Sequence, residues 1–166
     1  DPDLLFEVAN DDLTIEPDYA DVLEGDMPPE LPDHAEAGTQ NVCGICGLAA
    51  GLRFVQQQTP QRLLAHEVRQ RKLLTSLLTD VPGVRLFTGE PQSGTLSLCA
   101  AQMDCETLAA RLAVKGVCVR AGLHCAPLAH ESAGTLETGT VRFSLSAFNT
   151  EQEIFRTADL LKEILA

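Results

Sequence analysis

Segments with strand periodicity come in two adjacent pairs in this sequence, and segments with helical periodicity precede, separate and follow the pairs. Residues 84–87 and 95–99 form the first pair, and residues 117–120 and 140–146 form the second. The order is helix, helix, strand, strand, helix, strand, strand, helix. This order predicts an α+β fold, in which a small and mostly antiparallel sheet is covered by helices.

Local start signals support the four predicted helices. A first helix over 41–57 has a face of small residues. Thr59, followed by proline, is the N-cap of a second helix. Asp104 caps a short third helix, and Asn149 or Thr150 caps the last. The apolar residues of the last helix fall at i, i+4, i+7 and i+11 and so share one face: Ile154, Ala158, Leu161 and Leu165.

Charge divides the chain into an acidic N-terminal segment and a nearly neutral remainder. Residues 1–36 contain 13 Asp and Glu and no Lys or Arg, whereas the other 130 residues contain 11 acidic and 12 basic side chains. We therefore expect residues 1–36 to be a Pro-rich arm or linker remnant and residues 37–166 to form the folded domain. The arm is either solvated or, because apolar residues are interspersed along it, packed on a partner subunit or on another part of the protein.

Composition excludes several classes of function. No basic stripe is available to neutralise phosphates, so nucleic-acid binding is not expected. No apolar run approaches the ~20 residues of a membrane-spanning helix, and the acidic N-terminus argues against a signal or transit peptide. The first residue is not Met, so we expect a processed or truncated part of a longer protein. Six cysteines are too sparse for a secreted disulfide scaffold, which favours a reducing, cytoplasmic compartment.

Cys125 lies in a short segment bounded by Gly and Pro, between the last two predicted strands. Arg120, His124 and His130 are close to it in sequence. A thiol near cationic groups can be held as the thiolate, which is the form that attacks electrophiles. Cys125 is therefore the candidate nucleophile, and the alternative is a structural or incidental loop cysteine.

Arg142 alternates with Val141 and Phe143 along the last predicted strand, so it projects from the face opposite to the core. It is either an exposed strand residue or a clamp that holds a carboxylate bidentately in the same cleft as Cys125. The thiol and the guanidinium together predict sulfur chemistry on an amino-acid substrate.

Two further patterns lie at the start of the first helix. Cys43 and Cys46 have the Cys-x-x-Cys spacing of half a zinc site or of a redox pair, without a second matching pair. The favoured interpretation is that both are small buried residues of the helix. Gly38 and Thr39 offer backbone N–H groups and a hydroxyl to a phosphate at the helix N-terminus, or else they belong to an ordinary cap.

Four segments, in this order, resemble the C-terminal part of class V aminotransferase-fold proteins, and specifically the cysteine desulfurase and selenocysteine lyase group. They are Glu36-Ala-Gly-Thr-Gln-Asn41 leading into Gly47-Leu-Ala-Ala-Gly-Leu52, then Arg120-Ala-Gly-Leu-His-Cys-Ala-Pro-Leu-Ala-His130, Gly139-Thr-Val-Arg-Phe-Ser144 and Phe148-Asn-Thr-Glu-Gln-Glu153. The resemblance runs from about residue 28 to the end of the chain. It implies the small C-terminal domain of a fold type I pyridoxal-phosphate enzyme.

The resemblance also implies an activity. Members of this group are homodimers that use pyridoxal 5′-phosphate to take sulfur from L-cysteine, release alanine and pass the sulfur to an acceptor protein. On this resemblance, Cys125 forms the persulfide and Arg142 binds the substrate carboxylate. Arg120 and His124 match positions that line the site.

The cofactor site is matched only in part. Thr39, beside Gly38, matches the residue that reaches the cofactor phosphate of the neighbouring subunit. The lysine that forms the Schiff base in the family lies upstream of the Glu-x-Gly-Thr segment, whereas Lys72, Lys115 and Lys162, the three lysines of this chain, all lie downstream of it. The chain therefore resembles the C-terminal part or a remnant of such an enzyme, which by itself is not expected to turn over.

Three alternatives remain open from the sequence. The chain is a non-catalytic homologue that relays sulfur or binds a partner, a zinc-binding domain that uses Cys43 and Cys46 with Cys118 or Cys125, or a class V aminotransferase that does not mobilise sulfur. Cysteine and selenocysteine present the same carboxylate and amine, so the residues do not distinguish them as substrates. No residue specifies the sulfur acceptor.

Overall fold

The computed structural model describes residues 38–166. The predicted acidic arm, residues 1–36, lies outside the described residues. The described residues divide into two units, 38–51 and 52–166, and the boundary between them falls inside the first described helix.

The described residues form five helices and four strands. In chain order they are α1 (Val42–Gln58), α2 (Pro60–Leu78), β1 (Val84–Phe87), β2 (Thr95–Ala100), α3 (Cys105–Val114), β3 (Arg120–Gly122), α4 (Pro127–Ala133), β4 (Thr140–Ser144) and α5 (Glu151–Leu165). Between residues 38 and 166, no helix combines the length and the apolar character that crossing a bilayer requires.

The four strands form one antiparallel sheet in the order β1-β2-β4-β3. Its register aligns apolar side chains across the strands: Leu98 of β2 lies opposite Leu86 of β1 and Val141 of β4. Because side chains alternate along a strand, this row and the row two residues away, where Leu96 lies opposite Phe143, build one apolar face. The predicted α+β fold, with a small antiparallel sheet covered by helices, is confirmed.

The core of the second unit lies between that apolar face and helices α2, α3 and α5. Its fully buried leucines include Leu74 of α2, Leu98 of β2, Leu108 of α3 and Leu161 of α5. Burying each of these side chains contributes about 1.5–3 kcal/mol. All four residues of the predicted face of the last helix are buried, as expected: Ile154, Ala158, Leu161 and Leu165.

Side chains cap three of the helices where the sequence predicts it. Thr59 caps α2 through its hydroxyl, and Asp104 Oδ1 accepts a hydrogen bond from the backbone N–H of Thr107 at 2.8 Å. Thr150, rather than Asn149, is the N-cap of α5. It forms a reciprocal capping box with Glu153, whose carboxylate accepts from the backbone N–H of Thr150 at 2.8 Å.

The third strand differs from its prediction. The sequence predicts it over 117–120, whereas β3 starts at Arg120 and ends at Gly122. The backbone N–H of Val117 still donates to the carbonyl of Leu112 at 2.9 Å, so the segment after α3 completes the end of that helix. Only from Arg120 onward does the chain pair with β4.

The region around β4 holds two further differences. The predicted strand over 140–146 ends at Ser144, because the backbone N–H of Ser146 donates to Asn149 Oδ1 at 2.9 Å and starts a turn. The segment after Cys125, predicted as a loop, contains the short helix α4. Pro127 at the first position of α4 is the sequence signal for this helix.

The structure also corrects the predicted burial of two cysteines. Cys43 and Cys46 are exposed, although the sequence favours the interpretation that both are small buried residues of the first helix. No residue of α1 is buried. Cys118 is exposed as well. Cys99 and Cys105 are half-buried.

Candidate active site

The sheet register brings two arginines together on the face away from the core. Arg142 of β4 lies directly opposite Arg120 of β3, while its sequence neighbours Val141 and Phe143 are buried on the other face, as predicted. Neither guanidinium forms an ion pair within residues 38–166. Opposed like charges are destabilising. An anion bound between the two guanidinium groups would relieve this repulsion.

Arg142 also retains an unused donor. Its Nε is buried and has no hydrogen-bond partner among the described residues. A buried N–H group without a partner costs about 1–3 kcal/mol. A bound carboxylate, which can accept two parallel hydrogen bonds from one guanidinium, would satisfy it.

Cys125 lies in the short loop between β3 and α4, and the loop has an unusual backbone. His124 and Cys125 have φ angles of 53° and 58°, in the left-handed region that non-glycine residues rarely occupy. The backbone N–H of Ala126 closes the turn by donating to the carbonyl of Leu123 at 2.9 Å. Holding a non-glycine residue in the left-handed region costs of order 1–3 kcal/mol of conformational free energy. The turn leaves Cys125 exposed to solvent.

His124 links this loop to the arginine face of the sheet. Its Nε2 lies 3.1 Å from Thr140 Oγ1. Thr140 is two residues before Arg142 in β4, so both side chains lie on the same face of the strand. Burial lowers the pKa of His124 below its ordinary value of 6.5, and the positive charge of Arg142 lowers this pKa further. The imidazole is thus neutral at pH 7, next to a positively charged surface.

A second histidine supports the loop from α4. His130 is buried, and its ring centroid lies 5.8 Å from that of His124. His130 Nδ1 lies 2.8 Å from Thr135 Oγ1, and Thr135 is buried too. The sequence singled out His130 only for its proximity to Cys125. Its observed place is structural, between α4 and the turn that follows it.

Two glycines allow the ends of β3 and β4 to approach each other beneath the loop. Gly139 has a φ angle of 61°, and a Cβ atom there would lie 3.0 Å from the Cα of Gly122 and 3.0 Å from the Sγ of Cys105. Such contacts are tighter than side chains normally tolerate. A residue larger than glycine at 139 would therefore push against the end of β3, which leads into the loop that contains His124 and Cys125.

The candidate phosphate-binding residues belong to the first compact unit. Gly38, with a φ angle of 81°, and Thr39 are exposed and precede α1. The side chain that caps α1 is Asn41, whose Oδ1 accepts from the backbone N–H of Gly44 at 2.9 Å. The Thr39 hydroxyl is thus not used as the cap of this helix.

The residues around Cys125 do not provide a covalent anchor for pyridoxal phosphate. Lys72 lies 3.8 Å from Glu90, and Lys115 lies 2.9 Å from Glu163. Lys162 is in the last turn of α5. None of the three lysines of the chain belongs to β3, to β4 or to the loop between β3 and α4.

A metal centre receives no support from the described part of the chain. Between residues 38 and 166, no group of three or more His, Cys, Asp or Glu side chains is placed to hold a metal ion. The exposed Cys43 and Cys46 stand one turn apart on α1.

Sequence reasoning missed Thr140 and gave Gly139 no structural role. Both stand in the Gly-Thr-Val-Arg segment that ends at Arg142. The signal for Thr140 was its position two residues before Arg142, which puts both on one face of the strand. The contact with His124 depends on the pairing of β3 with β4 and has no local sequence signal.

Comparison with known proteins shows similarity over most of this chain. The profile of the family described as aminotransferase class-V matches residues 21–156. A probable cysteine desulfurase from Methanothermobacter thermautotrophicus is 33% identical over 145 residues, which are 85% of this chain and 36% of that protein. A probable cysteine desulfurase from Mycolicibacterium paratuberculosis is 39% identical over 137 residues, which are 81% of this chain and 20% of that protein.

The fold is similar to that of a solved enzyme. The apo structure of the cysteine desulfurase from Thermococcus onnurineus NA1 superposes with a TM-score of 0.71 at 29% identity, covering 86% of this chain and 36% of that chain. The present chain thus spans about a third or less of the length of these three relatives.

Proposed function

Because this chain belongs to the class-V aminotransferase family, whose profile matches residues 21–156, we propose that it is the C-terminal domain of a cysteine desulfurase-like enzyme. The domain accepts sulfur from L-cysteine on Cys125 as a persulfide, and alanine is the second product. The observation that carries this proposal is an exposed cysteine in a strained turn next to a neutral histidine, in a loop fixed to the arginine-bearing face of the sheet.

The proposed reaction balances without an external oxidant. The sulfur of Cys125 forms a bond to the substrate sulfur while the carbon–sulfur bond of the substrate breaks. The electron pair of that bond stays with the substrate carbon, which takes up a proton, so that a thiol and cysteine become a persulfide and alanine. Relatives called probable cysteine desulfurases, at 33% and 39% identity, support this reaction over a plain amino transfer.

The two arginines have distinct proposed tasks. Arg142 holds the substrate carboxylate, since its buried Nε lacks a partner among residues 38–166. Arg120, opposite Arg142 on the neighbouring strand, adds positive charge at the same face. His124 lies beside the nucleophile as a neutral imidazole.

Pyridoxal phosphate would supply the electron sink that this bond cleavage requires. Its covalent anchor is not among the residues around Cys125, so we assign the cofactor to another part of the assembly. Thr39 and Gly38 are proposed to contact its phosphate from the neighbouring subunit of a homodimer. We further propose that a protein acceptor takes the sulfur in the cytoplasm.

Alanine release and persulfide detection test the proposal together. The purified chain is incubated with L-cysteine and pyridoxal phosphate, alone and with an active cysteine desulfurase as sulfur donor. Alanine formed by the chain alone, and lost in Cys125→Ser, supports a complete enzyme. A persulfide on Cys125 that appears only with the donor supports a sulfur-accepting domain. Absence of a Cys125 persulfide under both conditions would refute the proposal. Cys118→Ser is the matched control, because it removes another exposed cysteine and should leave the result unchanged.

The sulfur-relay alternative is favoured for the isolated chain by one observation, the lack of a lysine near Cys125. The zinc alternative is tested by elemental analysis of the purified chain and of Cys43→Ala. If the purified chain contains stoichiometric zinc and Cys43→Ala does not, the zinc-binding alternative would be supported and the sulfur proposal rejected.

A further inference from the structure

Helix α4 lies on the arginine-bearing face of the sheet, opposite to the core. Ser97 of β2 stands opposite Arg142, and Phe87 of β1 stands opposite Ser97, so both belong to this face. A cavity of about 170 Å³ lies between α4 and these strands. Its lining includes Phe87 and Ser97 from the sheet and Ala129, His130 and Ala133 from α4. The helix is therefore not packed tightly on the sheet.

Apolar burial contributes little to the attachment of α4. Of its seven residues, only His130 is buried, and the large apolar side chain of Leu128 is 76% exposed. An element with few buried apolar contacts opens locally at a low free energy. Polar contacts therefore account for much of what keeps α4 on the sheet.

Arg85 of β1 makes such a contact at the C-terminal end of α4. Its Nη2 donates to the carbonyl of Ala133, the last residue of the helix, at 3.0 Å. The last carbonyls of a helix have no partner inside the helix, and a positive charge next to them is favourable. The guanidinium carbon also lies 4.6 Å from the centroid of the Phe87 ring, within cation–π distance. Arg85 forms no ion pair within residues 38–166 that would compete with these contacts.

The other end of α4 is joined to the turn that contains Cys125. Cys125 precedes Pro127, the first residue of α4, by two positions. The turn follows β3, whereas Arg85 belongs to β1, and these two strands are the opposite edges of the sheet. Three inter-strand spacings amount to roughly 14 Å, and seven helical residues amount to roughly 10 Å. Helix α4 thus connects the Cys125 turn with the opposite edge, where Arg85 binds its last carbonyl.

We propose that Arg85 is a positioning residue for Cys125, because it keeps α4 docked on the sheet and α4 in turn keeps the Cys125 turn in its left-handed conformation. Strained φ angles such as those of His124 and Cys125 persist only where the surrounding structure enforces them. When the C-terminal end of α4 is released, the turn can relax to ordinary φ angles. The effect of this docking on sulfur uptake rests on the proposed function, whereas the docking itself does not.

Amide hydrogen exchange of the folded chain tests the docking. The backbone N–H of Thr135, which donates to the carbonyl of His130 at 2.8 Å, reports the end of α4, and that of Ala126, which closes the Cys125 turn, reports its start. In Arg85→Ala, both are expected to exchange roughly threefold to tenfold faster, the size expected from one lost hydrogen bond. Arg85→Lys keeps a cationic donor and should recover most of the protection.

Two controls separate this effect from a general loss of stability. Arg111→Ala removes another exposed arginine, from α3, and should leave both amides unchanged. The amide of Leu161, on the buried face of α5, reports global unfolding and should exchange alike in all variants. Unchanged exchange of Ala126 in Arg85→Ala overturns the proposal, because Arg85 then only caps α4. An equal acceleration in Arg111→Ala, or an equal acceleration of Leu161, overturns it as well.

Carbon NMR and sulfur uptake test the effect on Cys125 itself. The Cα and Cβ shifts of Cys125 depend on its φ and ψ angles, and in Arg85→Ala they are expected to move toward those of an unstrained chain. The rate of Cys125 persulfide formation from a desulfurase donor should fall in proportion to the remaining left-handed turn and recover in Arg85→Lys. Unchanged shifts overturn the proposal, and changed shifts with an unchanged rate overturn the role in sulfur uptake. If wild type takes up no sulfur while exchange and shifts behave as expected, the proposed function fails and the docking role of Arg85 stands.

Discussion

Replacing Gly139 with Ala isolates the close approach of β3 and β4 beneath the Cys125 loop. The added methyl group would lie 3.0 Å from the Cα of Gly122 and 3.0 Å from the Sγ of Cys105. The first of these neighbours is backbone and cannot rotate away. Gly134 offers a matched control, because it also has a positive φ angle, 67°, but no atom lies within 4 Å of the corresponding methyl position.

The magnitude follows from three contributions, of which two are common to both variants. In both variants, alanine in the left-handed region costs about 1–2 kcal/mol, and its lower freedom in the unfolded chain returns about 0.4–1 kcal/mol. Only Gly139→Ala adds overpacking, which typically costs about 1–3 kcal/mol. The free energy of unfolding should therefore fall about 1–3 kcal/mol further in Gly139→Ala than in Gly134→Ala.

Urea-induced unfolding of both variants measures this difference. The slope of the free energy against urea should stay constant, so that the shift in midpoint reports stability. Persulfide formation at Cys125 should also slow in Gly139→Ala, since Gly122 leads directly into the loop. Equal destabilisation by the two substitutions would show that β3 and β4 are not as close in solution as the structure places them.

Three further perturbations have expected outcomes. Leu98→Ala removes a fully buried side chain from the core and should lower the free energy of unfolding by about 2–5 kcal/mol. Leu128→Ala, at an exposed site, should change the free energy of unfolding by less than about 0.5 kcal/mol. Urea-induced unfolding of both variants measures the difference. Thr150→Ala removes the capping box of α5 and should lower the free energy of unfolding by about 1 kcal/mol. Thr150→Ser is the control, because its hydroxyl can still cap the helix and should retain most of this stability. Because the pKa of His124 is lowered in the folded protein, the unfolded chain takes up the proton first, and stability should be lost as the pH falls below 6.5. This loss should be smaller in His124→Gln. An identical pH dependence of stability in wild type and His124→Gln would contradict the lowered pKa.

Local signals in the sequence were enough to predict most of the fold. The apolar face of α5 repeats with helical period, and its cap lies within three residues of its partner Glu153. Both features involve residues close in sequence, so they hold whatever surrounds them. The alternation around Arg142 likewise predicted which face of β4 it occupies, because strand geometry fixes alternation.

Features that depend on register could not be predicted in this way. Thr140 and His124 are 16 residues apart and meet only because β3 and β4 pair with Gly122 opposite Thr140. Arg71 shows the same limit in the core. It is 3% exposed, although arginine is rarely buried, and its guanidinium donates to Gln92 Oε1 at 3.1 Å, in the loop between β1 and β2.

The two edge strands of the sheet are short. β3 has three residues and β1 has four, while the longer β2 lies inside the sheet. An unpaired edge of this length exposes too few backbone N–H and C=O groups to template another strand. Edge-to-edge aggregation into fibrils is therefore disfavoured for this sheet.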